Sequence, residues 1–128
     1  MPTLLLATAI VATTLTTQRA FEPPRRGISE SLARQRAAAV RDLRYDLTFT
    51  IPDDLGAPVQ GRAVLRFSLV TPQPLVLDFA QPRDHVRRVR VGGGDVPFDV
   101  AEGHVIVPAA ATRTGANELV IDFIAGDE

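Results

Sequence analysis

The chain has 128 residues, 45% of them hydrophobic, which suffices for one core and leaves no room for two domains. A formal net charge of −1 gives no general attraction to nucleic acid or to an anionic membrane surface. With no cysteine, disulfides and thiolate metal sites are excluded; all 14 basic residues are arginine, a bias that reads as coding composition and carries no functional weight.

Leu4 to Leu15 is an apolar run containing Leu4-Leu5-Leu6 and Ile10-Val11, too short to span a bilayer comfortably and of the length of a signal-peptide core. Residues 1–20 are therefore expected to be a signal peptide, placing the protein in the periplasm or outside the cell. A retained N-terminal segment is the alternative. Residues 21–41 read as a linker and leader helix. Pro23-Pro24-Arg25-Arg26-Gly27 is a proline-broken leader, and Ser29 to Arg41 follows as the helix, with Ser29 as N-cap and Glu30 in the first turn. Its stripe of Ile28, Leu32, Val40 and alanines is narrow, so the helix should lie at a sheet margin as a solvated packing element.

Residues 42–128 read as a β domain. Leu43 to Ile51 alternates without fault: Leu43, Tyr45, Leu47, Phe49 and Ile51 share one face, and Arg44, Asp46, Thr48 and Thr50 share the other. This predicts a half-buried strand with Tyr45 turned inward, and the rest of the sheet assembled around it and its neighbour, Gly61 to Val70. After a turn-rich loop from Pro52 to Pro58, Ala63, Leu65, Phe67 and Leu69 alternate, so the two strands should form an antiparallel hairpin. Leu75 to Phe79 is a short strand between prolines. Val86 to Val91 places Val89 and Val91 together with Val86 out of phase, which predicts a bulge or turn near Arg87. Gly92-Gly93-Gly94-Asp95 should reverse the chain into Val96, Phe98 and Val100, and Glu102-Gly103 should turn it into His104 to Val107. Asn117 to Phe123 alternates once more. About seven strands, with a turn signal roughly every ten residues, predict an all-β, mostly antiparallel, saddle- or sandwich-like sheet domain with one short N-terminal helix.

Chemical motifs are scarce. His85 and His104 stand alone, outside any His-Glu-x-x-His pattern. The glycine triplet lacks the Lys-Ser/Thr of a phosphate loop. Arg87-Arg88-Val89-Arg90 has no aromatic partners for single-stranded nucleic acid and reads as a solvated strand face. Asp78 and Asp122 each lie between apolar strand residues, so each must meet solvent, an arginine or another domain; no spacing brings the two together as a catalytic pair. No position is assigned as catalytic, substrate-binding or metal-ligating.

Taken in order, Arg44-Tyr45-Asp46-Leu47, Gly61-Arg62-Ala63-Val64-Leu65-Arg66-Phe67, Leu75-Val76-Leu77-Asp78-Phe79, Val89-Arg90-Val91-Gly92 and Gly115-Ala116-Asn117-Glu118-Leu119 with Ile121 and Phe123 resemble the N-terminal β domain of the M1 (gluzincin) zinc aminopeptidases, aminopeptidase N-like, over Asp42 to Phe123. The resemblance implies a saddle-shaped antiparallel domain packed on a separate catalytic domain. In that family zinc is held by His-Glu-x-x-His and a later Glu, and the substrate amine by Gly-x-Met-Glu-Asn; neither motif occurs here, and both belong to the catalytic domain. It therefore implies a partial chain, truncated before the catalytic domain, that binds no cofactor itself while Zn2+ sits in the missing domain. The expected partner is that catalytic domain, on the same polypeptide or as a separate peptidase, with peptides as substrates reached through it, no nucleic acid, and no membrane beyond signal-peptide export. The alternative is a free-standing secreted β-sandwich binding or adhesion module.

Overall fold

The computed structural model describes residues 21–126. The expected signal peptide, residues 1–20, lies outside the described residues. Helix α1 spans Glu30–Ala39, and the Ser29 hydroxyl accepts the Leu32 N–H at 3.2 Å. Such a cap contributes about 1 kcal/mol. The helix ends two residues short of the expected Arg41. β-branched Val40 adopts φ −101°, ψ 131°, donates its N–H to the Arg36 carbonyl, and begins the first strand with no intervening loop.

Eight strands follow: β1 (Val40–Thr50), β2 (Val59–Leu69), β3 (Leu75–Asp78), β4 (Val86–Val91), β5 (Gly94–Asp95), β6 (Asp99–Ala101), β7 (His104–Val107) and β8 (Gly115–Ala125). Every pairing is antiparallel. One sheet has the order β1-β2-β8-β4-β5 and the other β3-β7-β6. Among the described residues the fold is thus an all-β, mostly antiparallel sheet domain with one short α-helix. The strand beyond the seven read from the sequence is β5, two residues long.

Alternation fixes what each sheet buries. Ala63, Leu65, Phe67 and Leu69 of β2 point one way, pair with the matching phase of β8, and meet Leu75, Val105 and Val107 of the small sheet in a single core. Val105, Val107 and Leu119 are fully buried, each worth roughly 1.5–3 kcal/mol of transfer free energy. The hairpin β1–β2 forms as expected, with Leu47 across from Ala63 and Tyr45 across from Leu65. The bulge near Arg87 is present: the β4–β8 register slips between Val86 and Arg88, which lets both Val86 and Val89 reach the core. Val91 pairs with Gly94, so Gly92 and Gly93 form a two-residue turn with φ of 58° and 85°. Ala101 pairs with His104 around Glu102 and Gly103, at 52° and 79°. Positive φ at both turn residues matches the right-handed twist of the flanking strands.

The organising role expected of Leu43 to Ile51 is not what the structure shows. β1 lies at the edge of its sheet, while β2 and β8 occupy the interior. The alternation keeps its phase: Leu43, Tyr45, Leu47 and Phe49 lie on the face that β2 buries, yet they remain 46–58% exposed. Tyr45 is therefore not turned into a core. A three-stranded sheet does not cover the full width of a five-stranded one, and among the described residues no element packs over β1.

Candidate functional site: an open apolar groove beside β1

The uncovered face of β1 forms one wall of a groove of about 540 Å³. Leu32 of α1, Tyr45 and Leu47 of β1, Leu65 of β2, Leu77 of β3 and Phe123 of β8 line it. Its volume lies in the range of small-molecule and peptide pockets, and its lining is mostly apolar. At the end near β8, three aromatic rings meet. Phe123 is edge-to-face with Phe79 at 5.7 Å between centroids and with Phe49 at 6.2 Å. Gly61 lies across from both Phe49 and Phe123 in the register, and its missing side chain is what lets the Phe123 ring lie over the strand.

A polar clamp closes the other side. Arg36 of α1 donates to both carboxylate oxygens of Asp78, at 2.8 and 3.1 Å, and to the Val76 carbonyl at 2.8 Å. This bidentate hydrogen bonding holds the Asp78 carboxyl below its usual pKa, against an opposing cost of partial burial. His104, directly across from Asp78 in the β3–β7 pair and 2% exposed, places Nε2 3.3 Å from the same carboxylate. The Nδ1 of His104 is buried without a hydrogen-bond partner, as is the Nδ1 of His85. An Asp–His pair can serve as a base when a nucleophile stands beside it, but the clamp contains no Ser, Thr or Cys, and Arg36 occupies the carboxylate. Its chemistry is that of a tether between α1 and the small sheet.

Asp122 meets different arginines. It accepts from Arg62 and, at 3.4 Å, from Arg90, on the polar face of the large sheet. Asp78 belongs to the other sheet, so the two carboxylates do not form a pair. The same polar face carries Arg66 between Asp46 and Glu118, and Arg88 on Asp95 at 2.6 and 2.8 Å. Of the arginines on the expected solvated strand face, Arg88 and Arg90 therefore lie among neighbouring carboxylates, and the hydrogen bond from Arg88 holds the Asp95 carboxyl low. Exposed pairs of this kind contribute little individually, about 0–1 kcal/mol.

Zinc held by this chain would need three or four converging His or carboxylate ligands. Among the described residues no group of three His, Asp or Glu side chains could hold a metal ion, and Asp78 is taken by Arg36. These residues do not fit a zinc centre. The Arg36–Asp78 link and the groove were not visible in the sequence, because 42 residues separate the two partners and no local pattern joins them. Searches against models of protein families, curated proteins and solved structures found no match for the chain.

Proposed function

We propose that the chain is a non-catalytic capping and positioning domain of an exported zinc aminopeptidase, and that a catalytic domain packs on the apolar face of β1 and its groove. The observation that carries the reading is the uncovered row Leu43, Tyr45, Leu47 and Phe49. An amphipathic strand with no core over it presents a contiguous apolar patch, a feature of surfaces that meet another domain. The ordered sequence resemblance from Asp42 to Phe123 supports reading that domain as a zinc hydrolase acting on peptide N-termini. The domain would hold the hydrolase in place and carry none of its ligands.

Two measurements test this. The 128-residue chain, assayed with added Zn2+ on aminoacyl p-nitroanilides, is expected to release no nitroaniline, because general-base metallohydrolysis needs a ligand set that the described residues lack. Zinc-dependent release would overturn the reading. Sequencing the gene beyond codon 128 in the same frame is expected to reveal Gly-x-Met-Glu-Asn followed by His-Glu-x-x-His. A stop codon there with no peptidase gene alongside would overturn it as well.

One observation favours the second reading, a secreted β-sandwich binding module. Tyr45 is 58% exposed at the wall of the groove, where its ring could stack on a ligand. That reading predicts saturable binding of a small ligand or glycan that Tyr45→Ala abolishes, and peptidase capping does not.

A further inference from the structure

The free edge of β1 is a different surface from its apolar face. The other sheet edges are short: β5 has two residues, β6 three and β3 four, whereas β1 has eleven. Short edges offer little to an incoming strand, and a long one without proline or lysine is an open template. β1 contains neither, and its one irregularity, a register shift between Arg41 and Arg44 with Asp42 at φ 53°, leaves Arg44 to Thr50 regular.

The polar side of that edge is unbalanced. Arg44 stands directly across from Arg66 in the β1–β2 register. Arg66 is satisfied by Asp46 and Glu118, while Arg44 has no carboxylate partner among the described residues. Like charges set directly opposite are unfavourable, so Arg44 calls for an acid on its outer side.

We infer that β1 pairs antiparallel with β1 of a second copy of this chain, about a two-fold axis at Tyr45. In this register Arg44 of each copy meets Asp46 of the other, twice by symmetry. On the apolar side the two Tyr45 rings lie together. Neighbouring registers lack this match within the regular run: an axis at Leu43 sets Arg44 against Asp42, which sits in the irregular stretch at φ 53°. An axis at Arg44 or at Asp46 sets like charges against each other, an axis at Leu47 sets Asp46 against Thr48, and an odd shift opposes apolar to polar residues. The two large sheets would join into one of ten strands. The inference is independent of the capping role, because it uses the edge and leaves the face and groove open to another domain.

Sedimentation of the full chain over micromolar to submillimolar concentrations tests it, with Arg44→Asp, Asp46→Arg and the double exchange. The wild type is expected to dimerise. Arg44→Asp replaces two attractive pairs by two repulsive ones and should weaken the dimer tenfold or more, while its new carboxylate faces Arg66 and preserves the fold. The double exchange should restore association. A monomer at all concentrations, or a dimer that Arg44→Asp leaves unchanged, would overturn the proposal. Should Asp46→Arg fail to fold for want of its link to Arg66, a second variant decides. The chain has no cysteine, so Tyr45→Cys provides a single thiol at the axis. A short bis-maleimide should couple the wild-type background at this thiol and not the Arg44→Asp background; equal coupling in both, or none in either, refutes the register.

Discussion

Gly61→Ala tests whether the aromatic cluster depends on a bare backbone. A Cβ at this position would lie 2.4 Å from Cε2 and Cζ of Phe123 and 2.9 Å from Cε1. Carbon atoms pack best at roughly 3.5–4 Å, so the ring must retreat by about 1 Å. Phe79 and Phe49 hold it edge-on from two sides, which makes the retreat an overpacking problem costing about 1–3 kcal/mol. Each disturbed ring pair adds roughly 0.5–1.5 kcal/mol. Against this, alanine is better than glycine in a strand by about 0.5–1 kcal/mol. The balance is a loss of about 3 kcal/mol, which in urea lowers the unfolding midpoint by about 1–3 M. Phe123→Leu in the same chain should recover part of the loss, so a double-mutant cycle on the two positions gives a coupling of about 1 kcal/mol or more. A Gly61→Ala variant as stable as the wild type, or a cycle that closes to zero, would refute the packing described for this site.

Other substitutions separate buried from uncovered positions. Leu119→Ala empties a fully buried site and should cost about 3 kcal/mol in urea unfolding, whereas Leu47→Ser on the open face should change stability by less than about 1 kcal/mol; equal losses would mean that β1 is covered. Asp78→Asn should lower the melting temperature at pH 7, with a modest effect because the carboxylate is half exposed. The folded pKa of Asp78 lies below the unfolded value of about 3.9, so its contribution is complete above that pH and is lost as pH falls through the folded value. Wild type and variant should converge in strongly acid solution, and a constant gap down to pH 2 would contradict the clamp. Glu102→Asn should raise the melting temperature slightly, by less than about 1 kcal/mol of stability, since Glu102 holds φ 52° in a turn that favours asparagine.

Local rules carried much of the fold. Period-two alternation located the strands, glycine and proline located the turns, and the phase break at Val86 located a bulge that β8 reads as a slipped register. Alternation reports which residues share a face, not whether another sheet lies over that face. Leu43, Tyr45, Leu47 and Phe49 were legible as one row, but their exposure depends on how far β3, β7 and β6 extend across the large sheet, a long-range fact. Val40 shows a second limit: alanines beside it favour helix, and pairing with Leu69 draws it into the strand. The partner of Asp78 could be guessed as an arginine, yet nothing in the sequence singled out Arg36 among fourteen.

The junction of α1 and β1 makes the helix a gauge of strand alignment. No loop separates Ala39 from Val40, so the chain has no slack between the turn that carries Arg36 and the ladder that pairs Val40 with Leu69. Sliding β1 by two residues would keep its apolar row on the same face, a slip that side-chain pattern alone tolerates. It would also carry the helix about 7 Å along the sheet, farther than a guanidinium can follow. Arg36 would leave Asp78 and the Val76 carbonyl, and His104 would lose the arginine that neutralises its neighbour. The tether on the small sheet thus selects the alignment of an edge strand in the large one.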